Sequence, residues 1–444
     1  MRKKITGVGI AIMGCGTVGG AAALALVRDK DLIEKKTGLR LNLKYIFDKD
    51  FSNAEKIGLP KKLFATKLAA VLADPEVSVV VELIGGTSFA ADCIQKALLA
   101  KKHVVTANKA LLAHAGPALL SLARKNHVTL AFEASCGGGI PIVRALCDGL
   151  IANRIDALYG IVNGTCNYIL SQMAGSGQSY KDALAGAQAA GFAEANPALD
   201  VSGMDSAHKL AILASLAFGE RINFEAIPVT GIDSLQSMDI EYGKQLGYVV
   251  KLIARAERRD GGLYLRVQPV FISREHPLAW VSGPFNAISV YGHKTGHTLY
   301  YGRGAGGSPT ASAIVADIVS CALGTQRLLF RNLGIWSDRA KRAKQLPSGE
   351  IVCRFYLRFM VKDAPGILAK IAAALGKNGI SIASVLQKET PEDRQKQSRV
   401  PVVITTHPAR EKNVLKALAS LKTAKIAAEE PVCLHIVDER NENL

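Results

Sequence analysis

No stretch of about 18 apolar residues is free of charge or helix breakers, which excludes a membrane-spanning helix. The eight cysteines, Cys15, Cys93, Cys136, Cys147, Cys166, Cys321, Cys353 and Cys433, include no CxxC pair and no zinc spacing. Free thiols in a reducing cytoplasm follow. Acidic residues are in deficit, 38 against 55 basic ones, for a formal charge of +17. Aromatics make up only 6% and the basic residues are dispersed, so the interleaved basic and aromatic pattern of a nucleic-acid groove is missing. A dispersed positive surface suits anionic cofactors and substrates instead.

What is present is a chain of 444 residues, half of them apolar and 41 of them glycine. That length exceeds one compact core and predicts two or three domains. The opening MRKKITGVGIAIMGCG has a basic front and an apolar stretch in the manner of a signal peptide. The apolar stretch runs directly into a glycine fingerprint, so a first strand over Ile5 to Met13 is expected. Further strands are expected at Leu41–Phe47, Val77–Ile84 and His103–Thr106, alternating with helices at 21–30 and 90–100. This alternation predicts an α/β fold with a parallel sheet, a Rossmann-type dinucleotide-binding domain over 1–130. A helix near 311–323 is expected to complete it. Residues 131–335, with strands at 267–273, 285–291 and 297–301, are read as an α+β catalytic and dimerisation domain. The apolar-poor stretch 337–350 is read as a linker. Residues 351–444 are expected to form a separate ferredoxin-like βαββαβ domain, with strands at 351–361, 380–387, 399–406 and 431–437 and helices at 367–375 and 409–421, Asp363 capping the first helix.

Five constellations carry chemistry. Gly14-Cys15-Gly16-Thr17-Val18-Gly19 fits G-x-G-x-x-G between a strand and a helix, where backbone N–H groups approach a pyrophosphate. The ribose-reading position after the second strand offers Asp48, Lys49 and Asp50, with Arg40 upstream. An acid there favours NAD and a base NADP, so both remain open. Thr106-Ala107-Asn108-Lys109 ends a parallel strand, the edge at which ligands bind. A cation at a helix start opposes the dipole, which argues against Lys109 as a plain surface lysine. The loop from Glu133 through Cys136 and Gly138 to Ile140 can turn carbonyls onto a hard cation, or be a plain turn. Asn163-Gly164-Thr165-Cys166-Asn167 follows the apolar LYGIV and is either a ligand-binding turn or a simple Asn-Gly turn. Lastly, Glu194, Asp200, Asp205 and Lys209 fall within sixteen residues, ahead of the apolar LAILASLAFG. Asp205 and Lys209 share one helix face. A sheltered lysine beside a carboxylate has a tunable proton affinity suited to acid–base work, whereas an exposed pair is an ordinary salt bridge.

TANKALLA (106–113), VNGTCNYIL (162–170), GFAEANPALDVSGMDSAHKLAIL (191–213) and YGRGAGGSPTASA (301–313) resemble homoserine dehydrogenase, an NAD(P)-dependent family of the aspartate pathway, over about residues 7–325. KDAPGILAKIAAALGKNGISI (362–382) resembles an ACT regulatory domain, as in the family's long form. The resemblance implies interconversion of L-aspartate 4-semialdehyde and L-homoserine, in threonine and methionine biosynthesis. It implies Lys209 as the acid–base lysine with Asp205 as partner, and Lys109 as a second essential lysine near cofactor and substrate. Glu194 and Asp200 are implied at the substrate, with Gly164 and Thr165 beside it. Cofactor contacts are implied at Gly16, Thr17, Val18, Gly191 and Gly306. A sodium ion is implied at Glu133, Cys136, Gly138 and Ile140, the last three through carbonyls. Threonine is the implied effector, and a homodimer or homotetramer the implied assembly. Cys166, Asn196 and His293 depart from the family's usual threonine, aspartate and acid.

Two other enzyme or sensor readings are weighed. An ACT-tailed hydroxy-acid dehydrogenase needs a catalytic histidine backed by a carboxylate, and the nearest candidate, His208, points about 100° away from Lys209 on a helix. A catalytically dead cofactor sensor would lack the lysines and acids present here.

Overall fold

The computed structural model describes residues 6–387, 399–427 and 429–440. Ile5 and the basic start lie outside the described residues. Two compact units emerge: Met1–Gly164 with Asp205–Ile227 and Pro284–Ala343, and Thr165–Met204 with Pro228–Gly283 and Lys344–Leu444.

The first unit is built on six parallel strands: β1 (Thr6–Met13), β2 (Leu39–Phe47), β3 (Phe64–Ala65), β4 (Val77–Glu82), β5 (His103–Thr106) and β6 (Leu130–Ala131), in the order β3-β2-β1-β4-β5-β6. That is the doubly wound dinucleotide-binding order, whose switch point lies between β1 and β4. Both faces are covered, so the strands are runs of apolar residues; Ile10, Ile12, Val79 and Val81 are buried. Helix Thr17–Arg28 packs its Ala22 and Leu26 into the same core as Ile314 and Ile318 of helix Gly307–Leu323. The latter helix starts four residues before the expected Ala311, because Pro309 falls in the first turn, where a missing N–H costs nothing. The unit also contains the antiparallel strands Ile155–Ile161, Phe285–Gly292 and Gly296–Arg303.

The second unit holds the hairpin Tyr248–Arg259 and Gly262–Ser273 and the carboxy-terminal βαββαβ segment. In that segment the strands lie in the order Val432–Val437, Val352–Lys362, Arg399–Thr406, Ile382–Gln387, all antiparallel. It is not a detached body: His435, Ile436 and Val437 pair in parallel with Val270, Phe271 and Ile272 of the hairpin. Asp363 does not cap the first helix, which begins at Ile367 behind Gly366 at φ +84° without a side-chain cap. The left-handed turn at Gly366 leaves Asp363 too far upstream. The second helix starts at Glu411 instead of 409, because Ala409 and Arg410 bridge to Cys353 and Val352. The stretch read as a linker is hydrogen-bonded: Arg221 N donates to Lys341 O at 2.7 Å in the first unit, and Leu263 N to Lys344 O at 2.8 Å in the second.

A buried ion pair joins the carboxy-terminal segment to helix Ser237–Gln245. Arg358 donates to Asp239 Oδ1 at 2.6 Å and Oδ2 at 3.0 Å, and Tyr356 Oη to Oδ1 at 3.0 Å. Both charged side chains are at most 3% exposed. Arg358→Met strands the Asp239 carboxylate and is expected to cost about 3–5 kcal/mol in urea unfolding. Replacing both partners with apolar residues should recover most of that loss.

Candidate active site

The site residues of the first unit are positioned by three elements. Helix Met204–Phe218 carries Asp205 and Lys209 and is buried along nearly its whole length. Lys209 Nζ donates to Asp205 Oδ2 at 2.7 Å and to Val162 O at 2.6 Å, with its side chain 9% exposed. The pair is therefore sheltered, not a solvated surface bridge. The end of β5 contributes Lys109, whose Nζ lies 3.1 Å from Asp205 Oδ1. Its helix, Lys109–Lys125, starts where it does because the Asn108 side chain accepts Leu111 N at 3.1 Å as a cap. Below it, Thr106 Oγ1 donates to the buried Glu82 at 2.7 Å and accepts Asn108 N at 3.0 Å. The turn after Ile155–Ile161 contributes Asn163, whose Nδ2 donates to Asp205 Oδ2 at 2.9 Å.

Asp205 thus sits between two ammonium groups. Burial pushes its carboxyl up, but Lys209, Lys109 and the hydrogen bonds from Lys209 and Asn163 outweigh that and hold it below the usual carboxylate range. The cluster sets two ammonium groups against one carboxylate. A site with net positive charge in a low-dielectric setting stabilises negative charge growing on an oxygen. From the sequence Asn163 reads only as part of a turn that binds a ligand or does not, and the Val162 carbonyl is not singled out.

The glycine fingerprint forms the expected turn. Gly14 takes φ +94°, and a Cβ at Gly19 would lie 1.9 Å from Gly14 O, so only glycine permits this closure. Thr17 and Val18 open helix Thr17–Arg28. Gly306 precedes helix Gly307–Leu323, whose start lies against the same turn: a Cβ on Gly307 would sit 3.3 Å from Thr17 O. Two helix N-termini therefore converge beside Gly16, a ready anion site. Gly164 begins helix Gly164–Ser176.

The other expected substrate and cofactor residues belong to the second unit. Thr165 Oγ1 donates to Phe192 O at 2.6 Å, and Cys166 Sγ to Asp200 O at 3.2 Å. Gly191 and Glu194 lie on the exposed segment after helix Tyr180–Ala189, where Gln188 Nε2 donates to Glu194 O at 3.2 Å. Asn196 and His293 serve turns: Asn196 Oδ1 accepts Ala198 N at 3.2 Å, and His293 Nδ1 accepts Arg154 N at 2.9 Å.

The histidine–carboxylate alternative fails on geometry. The His208 ring stacks on Phe224 with centroids 4.6 Å apart, and its Nδ1 is buried without a hydrogen-bond partner among the described residues. Burial first, then His114, pushes it down to about 4, so it stays neutral.

A buried lysine in the second unit went unremarked in the sequence. Lys251 Nζ donates to Asn167 Oδ1 at 3.0 Å and Val281 O at 2.5 Å, and burial lowers it to about 8. Because its folded pKa lies below the free value near 10.4, its stabilising contribution is complete above that value and lost as pH falls through about 8. Wild-type stability relative to Lys251→Met should therefore rise between pH 8 and 10, by at most about 3 kcal/mol in urea melts.

A dinucleotide fold with two lysines on a buried aspartate defines a nicotinamide-dependent oxidoreductase. Family models agree: the homoserine dehydrogenase NAD binding domain matches residues 14–133, homoserine dehydrogenase 141–319 and the ACT domain 355–423. A homoserine dehydrogenase of Neisseria gonorrhoeae is 41% identical over 434 residues, covering 96% of this chain and 98% of the relative. The crystal structure of a homoserine dehydrogenase from Thiobacillus denitrificans superposes with a TM-score of 0.91 at 37% identity, covering 98% and 99% of the two chains. A hyperthermophilic archaeal homoserine dehydrogenase in complex with NADPH matches at a TM-score of 0.58 and 26% identity, over 71% of this chain and 98% of that one. The chain belongs to the homoserine dehydrogenase family.

Proposed function

We propose that this enzyme interconverts L-aspartate 4-semialdehyde and L-homoserine with NAD(H) or NADP(H), serving threonine and methionine biosynthesis. The observation that carries this reading is the sheltered Lys209 ammonium, hydrogen-bonded to Asp205 one helical turn away and to Val162 O. The Gly14–Gly19 turn and Gly306 would hold a nicotinamide cofactor, which would supply hydride to the aldehyde carbon and accept it from the alcohol carbon in the reverse direction. Lys209 protonates the oxygen as it gains charge and removes that proton in the reverse direction. Asp205 orients Lys209, and Lys109 adds charge near the oxyanion. Glu194 and Asp200 are the residues proposed for the substrate ammonium, Gly164 and Thr165 for further substrate contacts, and Gly191 for a cofactor contact. Initial rates with homoserine against NAD and NADP, with and without threonine, test the reading; no turnover with either cofactor contradicts it.

The ACT segment is proposed to bind an amino-acid effector, threonine being the family's usual one. Deleting residues 345–444 would also strip the strand that pairs with Val270–Ile272, so point variants are the cleaner probe. The enzyme is proposed to be a cytoplasmic homodimer or homotetramer. All eight cysteines are free thiols, and among the described residues no single helix is long and apolar enough to cross a membrane.

A sodium ion is proposed at the loop 133–140. Both Glu133 carboxylate oxygens are taken by Val143 N and Arg144 N at 2.9 Å, and burial pushes the Cys136 thiol up to about 12. Oxygens of Glu133, Cys136, Gly138 and Ile140, the last three through carbonyls, are the donors proposed. Loss of activity in sodium-free buffer, restored by NaCl but not by choline chloride, is the expected result.

A further inference from the structure

The dinucleotide site as a family property accommodates either nicotinamide cofactor. We propose that Asp48 makes this chain's site selective for NAD(H) over NADP(H), because one carboxylate both holds the glycine-rich turn in shape and opposes a 2′-phosphate. The proposal rests on the cofactor reading above.

Phe47, the last residue of β2, accepts Gly14 N at 2.9 Å. The next residue, Asp48, accepts Cys15 N through Oδ2 at 2.6 Å, and Lys49 N and Asp50 N through Oδ1 at 2.7 and 3.2 Å. Asn53 Nδ2 closes the other side of the turn, donating to Cys15 O at 2.7 Å and Gly16 O at 3.1 Å. The Asp48 carboxylate is therefore fixed at the end of the second strand, where the adenosine ribose is read. It cannot swing aside without releasing the amide of Cys15 from the turn. A ribose 2′-hydroxyl can donate to such a carboxylate. A 2′-phosphate brings negative charge against it.

The basic candidates do not offset this. Arg40 lies near the start of the parallel strand, roughly 20 Å from its carboxyl end, and its guanidinium is engaged by Glu34 at 3.0 and 3.2 Å. Ligands bind at the opposite edge. Lys49 is exposed and stands between Asp48 and Asp50, one ammonium against two carboxylates. Asp50 is itself fixed by Ser52 N at 2.9 Å and Ser52 Oγ at 3.0 Å.

The test is binding without turnover. NADH and NADPH are titrated separately onto the full chain by calorimetry, with no substrate present. The expected result is NADH binding at least about tenfold tighter than NADPH. Asp48→Asn keeps an oxygen for Cys15 N but removes the charge, so it should tighten NADPH by about fivefold or more while moving NADH less than about threefold. Arg40→Ala should change neither constant. Equal or tighter NADPH binding by the wild type overturns the proposal, as does an unchanged ratio in Asp48→Asn or weakened NADPH binding in Arg40→Ala. Should Asp48→Asn not fold, the wild-type ratio and Arg40→Ala decide. Selectivity for NADPH leaves the family activity standing; failure to bind either cofactor sinks the cofactor reading and this inference together.

Discussion

Lys209→Met should lower kcat by on the order of 10³-fold while leaving cofactor dissociation within about twofold of wild type. Methionine matches the lysine stem in length and is apolar, so the buried helix Met204–Phe218 keeps its packing. What disappears is the ammonium that donates to Asp205 Oδ2 at 2.7 Å and to Val162 O at 2.6 Å. Lys109 still offers its charge at 3.1 Å from Asp205 Oδ1, but its side chain is 32% exposed and water competes for it. Lys109→Met should therefore cost less in kcat than Lys209→Met. Equal losses would mean that the two lysines share one role.

Asp205→Asn is expected to damage both folding and rate. The carboxylate is the one anion between two ammoniums, and its neutral replacement leaves Lys209 buried without a counter-charge. Breaking a buried pair in this way costs about 3–5 kcal/mol, read as a lower urea midpoint. Because the folded carboxyl titrates below the free aspartate value near 3.9, its stabilisation is complete above that value and fades only as pH falls further. The gap between wild type and Asp205→Asn should hold from pH 8 to pH 5 and narrow below pH 4. Adding Lys209→Met to Asp205→Asn should restore part of the lost stability, since the stranded ammonium goes with it.

Much of the first unit was legible because its signals are local. Apolar runs at Val77–Glu82 and His103–Thr106, each before a helix, mark parallel strands buried on both faces. Gly14 to Gly19 and TANK each sit where strand meets helix, so their places in the fold could be read. Strand Tyr248–Arg259 was not legible, because Lys251, Arg255 and Glu257 read as solvent-facing when all three are buried. Glu257 pairs there with Arg255 and Arg259, partners set by the fold rather than by spacing. The joining of Val432–Val437 to the hairpin is likewise a long-range pairing that no local pattern announces. In the site, the four-residue spacing of Asp205 and Lys209 was readable, but not the convergence of Lys109, Asn163 and Val162 O on them. Nor did the sequence show that Arg40 is engaged by Glu34 or that Asp48 is fixed on Cys15 N.

Chemical rescue tests the central claim most directly. In Lys209→Ala, small primary amines added to the assay should restore turnover in proportion to their concentration, with rates that track amine pKa. A folded, cofactor-binding Lys209→Ala that turns over at near-native rate without amine would contradict a proton delivered from position 209.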